Sequence, residues 1–304
     1  MSWWHRVLLV LFALTLLVGG YVLYEVRKID VETLSPDLHV LRGLGGNVAV
    51  LKTAAGTVVV DSMTLPLQGS RIRAIARELT GMDTVLLINT HYHLDHTHGN
   101  PAFEPGIRVL ATERTRSHLQ ALDAEFWQGD SARLLPNETF TDQQELNIGG
   151  KRLLLVHPGA GHTDGDLVVV FTDEGVIHMG DLLFNGHYPN IDLEAGGTVS
   201  RWPATLARVQ QLPFTRVIPG HGPTSGPEVI DQFSAFLTQL AAIGARAAAQ
   251  GTALETMVSS PELTADAGYE PIRLIIPIGL DRPFVLRRAW EEATGNFELL
   301  NPVE

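Results

Sequence analysis

Four histidines and one aspartate lie within eight residues, His91-Tyr92-His93-Leu94-Asp95-His96-Thr97-His98. Imidazole nitrogens beside a carboxylate suit zinc, and suit iron or manganese less well. The stretch just ahead, Thr84-Val85-Leu86-Leu87-Ile88-Asn89-Thr90, is a short apolar run that reads as a buried strand. The cluster is therefore expected on the loop where that strand stops, the place where open α/β folds put ligands and chemistry. Three further polar sites repeat the design: His162 in Gly161-His162-Thr163, Asp181 in Gly180-Asp181, and His221 in Pro219-Gly220-His221-Gly222. Each stands at the end of an expected strand. The flanking glycines let the backbone turn tightly and approach a ligand closely.

The elements that must position these residues come in two rounds. Leu38 to Leu41, Asn47 to Thr53 and Thr57 to Asp61 are β-rich and separated by glycines, as in an antiparallel meander. Pro66 to Leu79 has helical spacing, with Gly81 as its C′ residue. Val109 to Ala111 reads as a strand and Glu113 to Trp127 as a helix. A second set of strands covers Thr139 to Leu146, Arg152 to His157, Asp166 to Phe171, Gly175 to Met179 and Arg216 to Ile218. Helices are expected over Trp202 to Gln211, Pro227 to Gln250 and Arg282 to Thr294. Strands then helices, twice over, fit two sheets packed face to face with helices outside.

Composition narrows the partners. The 304 residues carry 22 basic and 34 acidic side chains, a net charge of −12, with no basic run. Nucleic acid, which needs clustered Lys and Arg, is excluded as a partner. The absence of cysteine excludes disulfides, thiolate ligands and a cysteine nucleophile. Val7 to Tyr24 is uncharged and nearly all apolar, with Trp3, Trp4, Tyr21 and Tyr24 at its borders. Its length is at the lower edge of what spans a bilayer. Residues 7–24 are read as a membrane anchor with interfacial aromatics, ahead of a cleaved signal peptide or a soluble helix. The favoured orientation puts the bulk of the chain outside the cytoplasm, in a periplasm.

Taken together, these motifs resemble the metallo-β-lactamase superfamily. The resemblance runs from about Leu38 to Gly226. It rests on His-x-His-x-Asp-His at His91 to His96, Gly-His-Thr at Gly161 to Thr163, Gly-Asp at Gly180-Asp181, and Pro-Gly-His-Gly at Pro219 to Gly222. It implies a four-layer αββα sandwich, here with an added N-terminal hydrophobic helix, and two metals in a groove at one edge of the sheets. Carried over, His91, His93 and His162 would hold the first metal, Asp95, His96 and His221 the second, and Asp181 would bridge them. The chain then divides into an anchor or signal segment over 1–30 and a metallo-hydrolase domain over 31–304, with 227–304 a mostly helical C-terminal extension. Physical chemistry agrees with the carry-over: seven ligands are too many for one tetrahedral zinc and suit two ions roughly 3.5–4 Å apart.

The expected activity is hydrolysis of a small molecule at an amide, lactone, ester or thioester bond. Coordination lowers the pKa of water to about 7 and so provides hydroxide at neutral pH. The first metal would polarise the carbonyl, while Asp95 orients the nucleophile and Asp181 joins the two ions. A β-lactam is one candidate. A glyoxalase-II-like thioesterase is another, although the Cys-Gly-Arg stretch of that family is missing. A mono-iron dioxygenase acting on a small thiol or persulfide is the alternative from a different class. His93 speaks against the di-iron members, which usually carry glutamate there. The loop Leu183 to Pro189 follows Asp181, so Asn185, His187 and Tyr188 are expected substrate contacts. Leu44-Gly45-Gly46-Asn47 is read as a hairpin able to cover the site. His98 is read as a polar loop residue, His118 as solvated on a surface helix, His157 and His178 as structural, and Phe126 and Trp127 as packing along a helix.

Overall fold

Side chains alternate along a strand, and that alternation decides the layers. Val58 and Val60 enter one buried cluster while Val59 enters another on the opposite face. A sheet covered on both faces reads as a continuous apolar run, which is why these strands stood out in the sequence. The computed structural model describes residues 2–272 and 279–296. The end of the expected extension, 297–304, and its stretch 273–278 lie outside the described residues.

Seven strands form the first sheet in chain order: β1 (Asp30–Thr33), β2 (Leu38–Arg42), β3 (Val48–Thr53), β4 (Gly56–Val60), β5 (Thr84–Ile88), β6 (Arg108–Thr112) and β7 (Glu138–Phe140). The pairs up to β4 are antiparallel, and those from β4 to β7 are parallel. The second sheet holds β8 (Gln143–Ile148), β9 (Lys151–Val156), β10 (Val168–Phe171), β11 (Val176–His178) and β12 (Arg216–Ile218) in reverse order, with only β11 and β12 parallel. Among the described residues the helices are α1 (Trp3–Arg27), α2 (Pro66–Thr80), α3 (Leu94–Thr97), α4 (Glu113–Ala121), α5 (Trp202–Val209), α6 (Glu228–Gln250), α7 (Leu254–Met257) and α8 (Arg282–Thr294).

Leu51, Leu86, Ile88 and Leu110 of the first sheet meet Leu155, Val169, Phe171 and Ile218 of the second. Outside the first sheet, Ile72 and Ile75 of α2 and Leu119 of α4 join Val50, Val59 and Leu87. Outside the second, Trp202 of α5, Phe233 and Leu240 of α6 and Leu286 of α8 join Val168, Val170 and Ile177. The result is the αββα sandwich. Each fully buried Leu, Val or Phe contributes about 1.5–3 kcal/mol relative to exposure. The tail packs on this outer layer: α8 crosses α6 so closely that a Cβ on Gly244 would meet the Ala289 carbonyl oxygen at 2.5 Å. α1 stands apart from the three clusters, with large apolar residues such as Trp3, Leu8, Phe12, Leu17 and Tyr24 exposed.

Three expectations need correction. The helix from Glu113 ends at Ala121, not Trp127. Phe126 and Trp127 follow in turns, where Trp127 Nε1 donates to Asp123 Oδ2 at 2.8 Å. The single strand over Thr139 to Leu146 is two strands, β7 and β8, which belong to different sheets. Asp30 to Thr33, outside every expected strand, pairs antiparallel with β2. Its residues are mostly exposed, so burial left no apolar signal there.

Candidate metal centre

β5 stops at Ile88, and the chain turns through Asn89 and Thr90 into His91. β4 stops at Val60, and Asp61 then takes a left-handed backbone, φ 66°. A non-glycine residue there costs about 1–3 kcal/mol unless its surroundings hold it. Here they do: the buried Asp61 carboxylate accepts from Thr90 N and Thr90 Oγ1, both at 2.8 Å, and from His96 Nδ1 at 2.7 Å. β11 runs into the turn carrying Asp181, and β12 into Pro219-Gly220-His221. All four strand ends open on the same edge of the sandwich.

Two groups of side chains converge there. The ligand atoms of His91, His93, His162 and Asp181 lie within 4.8 Å of one another, as do those of Asp95, His96 and His221. Asp181 faces both groups. Its Oδ2 is 3.8 Å from His91 Nε2 and 3.6 Å from His162 Nε2, while its Oδ1 is 3.1 Å from His96 Nε2 and 3.5 Å from His221 Nε2. His221 Nε2 also lies 3.2 Å from Asp95 Oδ2.

The partners on the outer side of each ring fix which nitrogen carries a proton. Thr90 Oγ1 gives its hydrogen to Asp61, so it can only accept from His91 Nδ1, 3.1 Å away. His96 Nδ1 donates to Asp61. His162 Nδ1 faces the Asn190 carbonyl at 2.8 Å, which accepts and cannot donate. His93 Nε2 faces the Asp192 carboxylate at 2.9 Å, and Tyr92 donates its hydroxyl to the same oxygen. In their neutral forms all four rings therefore aim lone pairs inward. His93 Nδ1 and His162 Nε2 stand 2.7 Å apart, a hydrogen-bond distance, so without metal one ring must carry a second proton. Burial opposes charge on His93, but Asp192 raises it, and its Nδ1–H can donate to His162. His91 Nε2, His96 Nε2 and Asp181 Oδ1 are buried and make no hydrogen bond. Buried polar atoms without partners are rare and costly, and a metal pair would satisfy all of these atoms at once.

Electrostatics point the same way. Burial, then the neighbouring His96, holds His91 well below the ordinary histidine range. Burial and His93 take His162 down to about 4. Burial alone would lower His221, but Asp181 and Asp95 push it up to about 9. Burial also opposes charge on His96, yet Asp181, Asp95 and Asp61 raise it well above its usual value. Asp181 is buried, which disfavours its charge, but His96, His221 and His91 hold it well below the ordinary carboxylate range. Without metal, protons on His96 and His221 are the counter-charges to these carboxylates.

Glycine leaves the space. A Cβ on Gly46 would overlap the His96 ring at 2.1 Å, and one on Gly220 would meet Asp181 Oδ1 at 2.0 Å. The end of the turn before β3 is tied to two of the ligand-bearing loops: Gly46 N donates to the Asp95 carbonyl at 3.0 Å, and Asn47 N to the Gly220 carbonyl at 2.7 Å.

Residues beyond the seven separate clearly. His187 Nδ1 lies 3.2 Å from the Glu270 carbonyl, and Asn185 donates its side-chain amide to the Pro223 carbonyl at 2.8 Å. Tyr188 corrects the expectation of a groove contact: it is buried, its hydroxyl donates to Asp266 at 2.8 Å, and its ring packs near Phe236 and Tyr269. His118 is not simply solvated, since its Nε2 lies 2.7 Å from Asp164 Oδ1. His98 pairs with Asp123 and stacks on Phe126. His157 faces the Asp166 carbonyl and His178 the Asn47 carbonyl. Sequence reasoning missed Asp61, Asp192 and Phe184, whose ring stacks on His221. Asp61 did leave a signal, a charged residue closing an otherwise buried strand.

An αββα sandwich with this constellation defines a metallohydrolase fold. The profile of the metallo-beta-lactamase superfamily matches residues 41–225, more than half of the chain, and the chain belongs to that superfamily of metal-dependent hydrolases. Among its relatives, the 2,4-dinitroanisole O-demethylase subunit alpha of Nocardioides sp. (strain JS1661) is 25% identical over 55% of this chain and 49% of its own length. The match thus spans about half of that relative. Metallo-beta-lactamase IND-1 of Chryseobacterium indologenes is 23% identical over 71% of this chain and 91% of its own. Among solved structures, a metallo-beta-lactamase from Pontibacter korlensis superposes with a TM-score of 0.60 at 22% identity, covering 69% of this chain and 99% of its own.

Proposed function

We propose that this chain is a dinuclear zinc hydrolase acting on an amide, lactone, ester or thioester bond of a small molecule. The observation that carries the reading is Asp181, with one carboxylate oxygen toward each histidine group. His91, His93 and His162 would hold one ion and Asp95, His96 and His221 the other, with Asp181 placed to serve both. A zinc pair supplies hydroxide at neutral pH and Lewis acidity toward a carbonyl oxygen.

The chain's own residues do the rest. Asp192 and Asp61 fix the rings of His93 and His96, so that no reorganisation is needed during the reaction. Asp95 is 24% exposed against 4% for Asp181, so it is the anionic ligand a substrate meets. Its Oδ2 faces His221, which leaves Oδ1 to accept a hydrogen bond from the nucleophile and aim it. Asn185 and His187 border His221 and contact the substrate. The name of IND-1 keeps β-lactams among the candidate substrates. α1 anchors the chain, with the catalytic domain outside the cytoplasm. Its most apolar 18-residue window has a mean hydropathy of 2.4 and is not covered by the domain.

The test is a panel of β-lactam, lactone, ester and thioester substrates against protein of known metal content. Turnover of at least one class should vanish on chelation and return with zinc. Turnover that survives complete chelation contradicts the reading.

A further inference from the structure

α1 does not leave the domain at an arbitrary point. Its last turn meets α2, where Arg27, Leu67, Ser70, Arg71 and Ala74 line one shallow depression. The chain then passes against the turn before β3: a Cβ on Gly43 would lie 3.0 Å from the Lys28 carbonyl oxygen and 3.3 Å from Ile29. The other side of the same turn is the rim of the metal groove, where Gly46 N bonds the Asp95 carbonyl and Gly46 faces the His96 ring. One four-residue turn, Gly43 to Gly46, thus separates the exit of the hydrophobic helix from two of the proposed metal ligands.

This rim is apolar and exposed. Leu94, inside the metal-binding loop between His93 and Asp95, is 49% exposed, and Leu65 and Leu67 at the start of α2 are 37% and 40% exposed. They are joined through the same turn, since Thr64 Oγ1 and Gln68 Nε2 both donate to the Leu44 carbonyl. Basic side chains flank it. Arg27 and Arg71 are exposed and form no ion pair among the described residues, and Lys28 lies 3.8 Å from Asp30. On a chain of net charge −12, a basic and leucine-bearing patch at the foot of an apolar helix suits one surface, that of an anionic bilayer.

Building on the hydrolase reading, we infer that the groove rim rests on the membrane α1 enters, and that the substrate is an amphiphile. Its scissile bond lies beside an apolar chain that stays in the lipid while the bond reaches the metals. Leu65, Leu67 and Leu94 dip into the headgroup region, and Arg27 and Arg71 contact lipid phosphates.

The full chain in phosphatidylcholine vesicles, with and without phosphatidylglycerol, tests this. It has no cysteine, so single labels are clean. Nitroxides at Leu67→Cys and, as a control on β9 of the second sheet, Arg152→Cys would be compared for collision with oxygen and with a water-soluble nickel chelate. The Leu67 label should be lipid-accessible and the Arg152 label aqueous. Two equally aqueous labels overturn the contact. In the same vesicles, nitrophenyl esters of short and long acyl chains would be hydrolysed by wild type and by the Leu65→Glu/Leu67→Glu double variant. The variant should lose about tenfold in kcat/KM on the long ester and stay within about twofold on the short one. Equal loss on both, or no loss, overturns the substrate class. Absence of hydrolysis of either ester by the zinc-loaded wild type counts against the ester reading of the active site, while the label positions still decide the membrane contact.

Discussion

The metal groove and the N-terminal helix break the usual partition of residues in opposite directions. In the groove, polar side chains are buried: His91, His96, His162 and Asp181 are 1%, 0%, 0% and 4% exposed. Along α1, apolar side chains are open: Leu8, Phe12 and Leu17 are 63%, 63% and 69% exposed. A soluble domain tolerates neither pattern, because buried polar groups need partners and large exposed apolar patches mark interaction sites. Each region is therefore half of an interface. The groove supplies lone pairs and carboxylates that call for cations, and the helix supplies an apolar surface that the domain leaves uncovered. In the groove every inward histidine but His221 has a named outer hydrogen-bond partner. The helix is held only at its foot.

The largest effect should come from removing the shared ligand. Asp181→Ala leaves two histidine groups with no common anion. Turnover should fall by about three orders of magnitude or more, with zinc content dropping in step by elemental analysis. His93→Ala and Asp95→Asn should also remove nearly all turnover while circular dichroism keeps the wild-type shape. Wild-type rates in any of the three would break the account of the groove.

On the helix side, Leu14→Arg puts a charge at the centre of α1. The expected penalty is about 3 kcal/mol of insertion free energy, read as release of the chain into the supernatant on carbonate extraction of membranes. A variant that stays in the pellet as wild type does would show that α1 serves some purpose other than spanning.

The outer partners come next. Asp61→Asn keeps the left-handed turn, which asparagine tolerates, but offers His96 Nδ1 an amide in place of a carboxylate. The ring should change tautomer and point a proton inward. Zinc affinity should then fall about 10–100-fold, with nitrogen NMR reporting the protonated Nε2. Unchanged affinity would mean that the second layer is decorative.

The smallest effect is in pH. In the chelated protein His96 is held well above its usual value, and His221 is raised to about 9. Raised histidines stabilise the folded chain fully below the ordinary histidine range, and the His221 share of that stability is lost as pH rises through about 9. Metal binding has the reverse sign, because zinc must displace those protons. Loading at pH 7 should release protons, seen by calorimetry in buffers of different ionisation enthalpy, and affinity should rise by up to about tenfold per pH unit for each proton displaced. Proton-neutral loading would contradict the charge balance described for the groove.

The same contrast explains what could be read from the residues alone. The candidate ligands were legible because four histidines and an aspartate in eight positions have few other uses, and because His162, Asp181 and His221 each follow a strand with glycine beside it. Val58, Val59 and Val60, all buried but on alternate faces of the sheet, also showed, as a continuous apolar run. What escaped were residues whose role depends on distant contacts. Asp192 lies 99 positions from His93, which it orients, and nothing local marks it. Tyr188 looked like a groove residue by its place after Asp181, but a partner in the tail, Asp266, captures its hydroxyl. The stretch Thr139 to Leu146 was locally uniform, and only the packing of two sheets divides it.

The most direct test of the central claim is the metal content of the full-length protein, purified without chelator and measured by elemental mass spectrometry alongside protein concentration. The account predicts two zinc ions per chain, falling together in Asp181→Ala. A single iron per chain, with Asp95, His96 and His221 dispensable for binding it, would contradict the account and favour the dioxygenase alternative.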